Sequence, residues 1–146
     1  MKHIKDLNIN NKRLLIRFDY NVPIENNIIM NDFRLKSSFK TIDYCLSKNS
    51  SIVIMSHLGR PNRKDEKFSL KPIYRYLKEH YNNRIFFSDD CVSPESIKIS
   101  KDLKGGEIHI LENLRFYEEE TYNDDSFSNK LSKHADIYVC DSFGTS

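Results

Sequence analysis

Lys12-Arg13-Leu14-Leu15-Ile16-Arg17-Phe18 is a short run dominated by large apolar residues, and it breaks off into the polar turn Asp19-Tyr20-Asn21-Val22-Pro23. A run of this length that is continuous rather than alternating suits a strand buried on both faces of a parallel sheet. Four more runs of the same kind follow, at 51–55, 84–87, 107–111 and 136–140, all rich in Ile, Val, Leu, Phe and Tyr. Between them lie helical patterns. Over 32–46, Leu35, Phe39, Ile42 and Leu46 recur at helical spacing with Asp32 as the expected N-cap. Over 69–80, Leu70, Ile73 and Leu77 form one stripe, with Ser69 as the cap and Pro72 in the first turn, where a missing N–H is harmless. Shorter helices are expected over 93–101 and 126–134, the latter with Phe127 and Leu131 on one side. Strand alternating with helix four times predicts an α/β fold with a doubly wound parallel sheet.

Composition sets the bounds. The chain has 146 residues, one domain's worth, with 38% hydrophobic, 30% charged and 12% aromatic residues, which offers enough apolar surface to offset ordering entropy. Lys+Arg 23 against Asp+Glu 21 leaves +2, too near neutral for a protein that coats nucleic acid, so any basic site is local. The three cysteines Cys45, Cys91 and Cys140 lie far apart without metal-ligand spacing, as expected of reduced thiols in a cytoplasmic protein. No apolar run approaches the roughly 18 residues of a membrane span, and the start of the chain has no signal-peptide pattern.

In an open parallel sheet, ligands bind beyond the carboxyl ends of the strands. The segments there are Asp19 to Pro23, Ser56-His57-Leu58-Gly59-Arg60-Pro61, Ser88-Asp89-Asp90, Glu112-Asn113-Leu114-Arg115-Phe116 and Asp141-Ser142-Phe143-Gly144-Thr145. His57, Arg60 and Arg115 in this set imply an anion, because a guanidinium fork binds two oxygens at once. Arg34 joins them from the first turn of the helix over 32–46, where the macrodipole disfavours a cation by about 0.3–1 kcal/mol unless an anion sits nearby. Three or four charge-assisted hydrogen bonds of about 1.5–3 kcal/mol each, set against an association cost of about 4–15 kcal/mol, describe a metabolite held at micromolar to millimolar affinity.

Other residues in these loops carry two readings each. Asp19 and Asn21 suit a ligand hydroxyl, or equally an Asx-turn that shapes the loop before Pro23. His57 suits a general base, a phosphate donor or a satisfied loop histidine, and Gly59 gives a ligand close approach or simply permits a turn. The run Glu118-Glu119-Glu120 reads as a solvated face. There is no GxxxxGK[ST] loop and no GxGxxG after the first strand, so the common nucleotide-phosphate cradles are missing; HExxH and GxSxG are missing too.

Four of these segments, Arg17-Phe18-Asp19-Tyr20-Asn21-Val22-Pro23, Ser56 to Pro61, Leu111-Glu112-Asn113-Leu114-Arg115-Phe116 and Asp141 to Thr145, resemble in order the motifs of phosphoglycerate kinase. The resemblance is to its N-terminal, phosphoglycerate-binding lobe, and spans essentially the whole chain but well under half of the family's length. It implies a Rossmann-like lobe of a two-lobed kinase, usually monomeric, acting in glycolysis. The implied reaction is reversible phosphoryl transfer between 1,3-bisphosphoglycerate and ADP to give 3-phosphoglycerate and ATP, with no nucleic acid or membrane partner. By resemblance, Asp19 and Asn21 orient the glycerate part, His57, Arg60 and Arg115 grip the non-transferred phosphate, and Tyr20, Leu58 and Gly59 belong with them to the substrate-binding set. Arg34 binds substrate and, as the catalytic residue, stabilises the transferring phosphoryl group.

Three positions depart from the family pattern. Tyr20 stands where Phe is usual, Ser142 where Ala is usual, and the chain ends at Ser146, where an alanine and a His-Arg pair usually follow. Residues 1–146 are thus expected to be an incomplete N-terminal domain. Mg-ATP or Mg-ADP would be bound by a nucleotide-binding C-terminal lobe that this chain does not contain, and the chain alone is expected to be inactive. A non-catalytic anion- or partner-binding module derived from the same lobe is the alternative. Without a further crossover helix, apolar surface is expected to be exposed around Ile137 and Val139.

Overall fold

A computed structural model describes residues 3–117 and 124–141. In chain order the elements are β1 (Arg13–Phe18), β2 (Ile24–Glu25), β3 (Ile28–Ile29), α1 (Phe33–Ser47), β4 (Ser51–Met55), α2 (Lys71–His80), β5 (Ile85–Ser88), α3 (Pro94–Lys101), β6 (Ile108–Leu111), α4 (Asp125–Ser132) and β7 (Ile137–Asp141), with single 3-10 turns at Ile4–Asp6, Glu66–Phe68 and Leu114–Phe116. The five long strands form one sheet in the order β5-β6-β4-β1-β7. Every pairing in it is parallel; Leu15, for example, lies opposite Val53 of β4 and Tyr138 of β7. The doubly wound expectation holds.

Side chains alternate across the sheet, and apolar residues at both parities build two cores. Leu14, Ile16, Ile52, Ile54, Ile108 and Ile110 pack on one face with Leu35 and Ile42 of α1 and Ile73 and Leu77 of α2. Leu15, Val53, Met55 and Leu111 pack on the other with Phe127 and Leu131 of α4. Each of these side chains contributes about 1.5–3 kcal/mol by leaving water.

Helix starts differ in detail from expectation. Asp32 occupies the N-cap position of α1 but makes no side-chain cap hydrogen bond. Its carboxylate instead accepts from the Tyr76 hydroxyl at 2.8 Å, which lowers its pKa, and lies 3.5 Å from Lys36. Helix α2 begins at Lys71 with Leu70 at the N-cap, and Ser69 contributes from one residue further out by accepting from Lys71 N at 3.1 Å. Ser93 caps α3 as a serine should, accepting from Ser96 N. Helix α4 starts at Asp125, capped by Asp124. The short hairpin β2–β3 is not in the sequence-based assignment; its signal is Asn26-Asn27, both at positive φ, as a two-residue hairpin turn requires.

The strand β7 corrects one expectation. Ile137 and Val139 are half-buried against the core on the α1 face, whereas Tyr138 (56% exposed) and Cys140 point to the open side. Because the period is two, pairing with β1 sends the expected pair inward and its neighbours outward. The Thr41 hydroxyl of α1 donates to the buried Asp141 carboxylate and ties down the end of this strand. The expected motif after Asp141 and the Glu118-Glu119-Glu120 run lie outside the described residues.

His109 of β6 points into the second face, where an apolar residue would be usual. Its ring belongs to a buried chain: Ser88 Oγ to His109 Nε2 at 2.6 Å, His109 Nδ1 to Ser100 Oγ at 2.8 Å, Ser100 Oγ to His134 Nδ1 at 2.6 Å, and His134 Nε2 to the Cys91 carbonyl at 2.6 Å. A carbonyl only accepts, so His134 carries its proton on Nε2; Ser100 must then donate to His134 Nδ1, and His109 must donate from Nδ1 to Ser100. Every polar atom is satisfied with both rings neutral. A second proton on either ring would force the facing serine hydroxyl to accept and take from its hydrogen the ring nitrogen it donates to.

Burial pushes the His109 pKa down to about 3, helped by the neighbouring His134, and burial lowers that of His134 as well, with Arg13 adding repulsion. The unfolded chain therefore binds protons that the folded chain refuses, so this contribution is fully present above about pH 6.5 and is lost progressively as pH falls towards 3. Between pH 6.5 and 5, where carboxylates stay ionised, each pH unit should remove up to about 1.4 kcal/mol per histidine. Urea unfolding midpoints across this range test the prediction; a midpoint that does not move would contradict it.

Candidate functional site

With the strands parallel, the loops after β1, β4, β5 and β6 leave from one edge of the sheet. After β1, Asp19 Oδ1 accepts from Asn21 N at 3.2 Å, so the Asx-turn is present. The same oxygen lies 3.0 Å from Arg34 Nη1, which also donates to the Asn21 carbonyl at 2.7 Å. The Asn21 side chain crosses to the next loop, where its Oδ1 accepts from Gly59 N at 2.9 Å. Asp19 and Arg34 remain partly open to solvent, at 25% and 36% exposure. Such a partly exposed pair contributes no more than about 1 kcal/mol.

Tyr20 and Leu58 sit differently from their loop neighbours, with side chains in the core. The Tyr20 ring stacks on Phe18 at 5.3 Å and its hydroxyl lies 2.7 Å from Ser38 Oγ; burial raises its pKa. Its N–H donates to Ser56 Oγ at 3.0 Å, and Ser56 in turn donates to the Phe18 carbonyl at 2.7 Å. Ser56 thus fastens the loop after β4 to the end of β1. Gly59 is confined to its type by conformation and space: its φ is +61°, and an added Cβ would lie 2.4 Å from Phe68 Cε1.

The loop after β6 is pinned by two buried side chains, Glu112 and Asn113, whose type in the sequence gives no sign of this role. Glu112 accepts from Ser69 Oγ at 2.7 Å, Leu70 N at 2.7 Å and Asn113 N at 2.9 Å, placing a carboxylate at the start of α2. Asn113 bonds to Leu58, Phe68 and Arg115 N. The Arg115 side chain is half-buried, and its Nε is shielded from solvent with no hydrogen-bond partner among the described residues. His57 is half-buried and Arg60 exposed. Hydrogen bonds therefore join the three loops that carry Asp19 and Asn21, His57 and Arg60, and Arg115, with Arg34 attached through Asp19.

A concavity of about 190 Å³ opens beside Arg34, lined also by Asn21, Val22, Pro23, Asn31 and Phe33. A larger groove of about 610 Å³, lined by residues of α3 and α4, shares no residue with these loops. Among the described residues no three His, Cys, Asp or Glu side chains come together to hold a metal ion, and no helix is long and apolar enough to cross a membrane.

A family model described as phosphoglycerate kinase matches residues 4–146. The chain is 41% identical over 145 residues to a phosphoglycerate kinase of Aquifex aeolicus, covering 99% of this chain and 36% of that protein. It is 45% identical over 148 residues to one from Finegoldia magna, with 99% and 38% covered. The crystal structure of phosphoglycerate kinase from Pyrococcus horikoshii superposes with a TM-score of 0.86 at 32% identity, over 99% of this chain and 37% of that one. The Coxiella burnetii phosphoglycerate kinase structure gives 0.84 at 32%, with 99% and 36% covered. The chain spans just over a third of the length of the relatives it matches. Three loop motifs at the carboxyl edge of a parallel sheet and a family match over residues 4–146 lead to one assignment: the chain belongs to the phosphoglycerate kinase family.

Proposed function

We propose that this chain is the phosphoglycerate-binding part of a phosphoglycerate kinase. The observation that carries the reading is that the loops bearing His57, Arg60 and Arg115 are hydrogen-bonded to one another and to the Asp19–Asn21 turn at the carboxyl edge of the sheet. In this reading His57, Arg60 and Arg115 hold the phosphate that stays on the substrate, together with backbone around Gly59. Asp19 and Asn21 orient the glycerate; the side chains of Tyr20 and Leu58 support the loops from inside. Arg34, at the N-terminal turn of α1, faces the transferring phosphoryl group, where a positioned arginine is worth about 10³–10⁵ in rate.

The reaction is transfer of a phosphoryl group from the acyl phosphate of 1,3-bisphosphoglycerate to a terminal oxygen of ADP, and its reverse. The P–O bond to the substrate carboxylate breaks and a P–O bond to ADP forms. Carried with the nucleotide, Mg²⁺ would supply charge neutralisation on its phosphates. In this division of labour the nucleotide is held by a second lobe, and the 146-residue chain binds substrate without turning it over.

Calorimetric titration of 3-phosphoglycerate at low salt, with sulfate as the control anion, tests the reading. Saturable binding tighter than sulfate is expected, and binding indistinguishable from sulfate would overturn it. Arg60→Ala and Arg115→Ala should each weaken 3-phosphoglycerate by about 10- to 100-fold, the loss of one charge-assisted hydrogen bond. Gly59→Ala should weaken it without removing any charge, because the methyl group must displace Phe68 in a backbone already at positive φ. A coupled assay of the chain with 3-phosphoglycerate and Mg-ATP should show no ADP formation above background; turnover would disprove the proposed division of labour.

A further inference from the structure

We propose that Asn113 is a positioning residue: its carboxamide holds the 57–60 loop and the Arg115 turn in a single register. The identity of the ligand rests on the phosphoglycerate reading above; the pinning rests on geometry alone. A carboxamide has two acceptor lone pairs and two donor hydrogens. All four are used here: Oδ1 accepts from Leu58 N at 3.2 Å and Arg115 N at 2.9 Å, while Nδ2 donates to the Leu58 carbonyl at 2.8 Å and the Phe68 carbonyl at 2.9 Å. The residue is fully buried. It acts on Leu58 as a neighbouring strand would, satisfying both backbone groups of a loop residue that has no ladder to join.

The three segments it joins all bear on the site. Leu58 lies between His57 and Gly59; Arg115 is the cation of the third loop; Phe68 places its ring against Gly59. Gly59 N passes the register on to Asn21. No other side-chain type fits these four partners. Asp would turn a carboxylate oxygen towards two carbonyls, Gln adds a methylene to a filled site, and Ala strands two N–H and two C=O groups away from water. Because Asn113 is buried, its effect on a ligand is exerted through the loops.

The test uses the ¹⁵N-labelled chain with Asn113→Ala and Asn113→Asp, and Leu131→Ala on the opposite core as a destabilised reference. Two quantities are read: 3-phosphoglycerate affinity, and amide exchange at Leu58 and Arg115 relative to Ile52 and Ile54 in β4. Both Asn113 variants should bind at least tenfold more weakly, and Asn113→Ala, which removes the acceptor for both amides, should exchange at least tenfold faster at Leu58 and Arg115, with β4 still protected. Leu131→Ala should lose stability and keep its affinity. Affinity within twofold of wild type in either Asn113 variant, or unchanged exchange at Leu58 and Arg115 in Asn113→Ala, would overturn the proposal. Should Asn113→Ala fail to fold, Asn113→Asp carries the affinity readout, because it keeps the acceptor for both amides but turns an oxygen towards the Leu58 and Phe68 carbonyls. If wild type binds 3-phosphoglycerate no better than sulfate, the functional reading fails, and the exchange data alone decide whether Asn113 pins the loops.

Discussion

Parallel pairing between β1 and its two neighbours, β4 and β7, governs the rest of the molecule. A parallel sheet needs crossover connections that return each chain to the same edge, and the helices in those connections bury both faces. Two consequences follow. Apolar residues occupy both parities of β1 and β4, giving a core on each side, and the loops leaving the strands gather at one edge. The site is the product of that gathering, since residues from Asp19 to Arg115 meet only because their strands point the same way.

Gathered loops bring a second problem, because irregular backbone pushed together at a sheet edge leaves polar groups without a ladder. A buried group left unpaired costs about 1–3 kcal/mol, comparable to what a bound anion gains from one contact. The chain meets the demand with short polar side chains in the interior. Ser56 joins the ends of β1 and β4, Glu112 anchors the start of α2, and Asn113 takes up Leu58 and Arg115. On the other face Ser100 links His109 to His134 by the same logic, with hydrogen bonds fixing both tautomers. The interior polar residues do the scaffolding, which leaves Arg60 exposed and Arg115 Nε without a protein partner among the described residues.

The strands were legible because continuous apolar runs of this length, alternating with amphipathic segments, have few other uses, and the observed boundaries lie within a residue or so of the expected ones. Two kinds of feature escaped. The Asn26-Asn27 hairpin is short enough that no periodicity develops. The direction of Tyr138 and Val139 depends on register with β1, which a continuous run leaves undetermined.

The amino-acid sequence by itself determined the layer architecture and the family, because hydrophobic period and ordered loop motifs are local properties of the chain. It also marked the charged residues of the candidate site, since arginine and histidine at strand ends stand out by type. Tertiary structure alone decided which of those residues face outward: Tyr20 and Leu58 lie in loop motifs yet send their side chains into the core. It alone decided, too, that Asn113 reaches Leu58, 55 positions away, and Phe68, 45 positions away. Hydrogen bonds across such separations exist only after the strands have paired, and a polar side chain in the sequence does not reveal whether it will meet solvent, a ligand or a distant backbone.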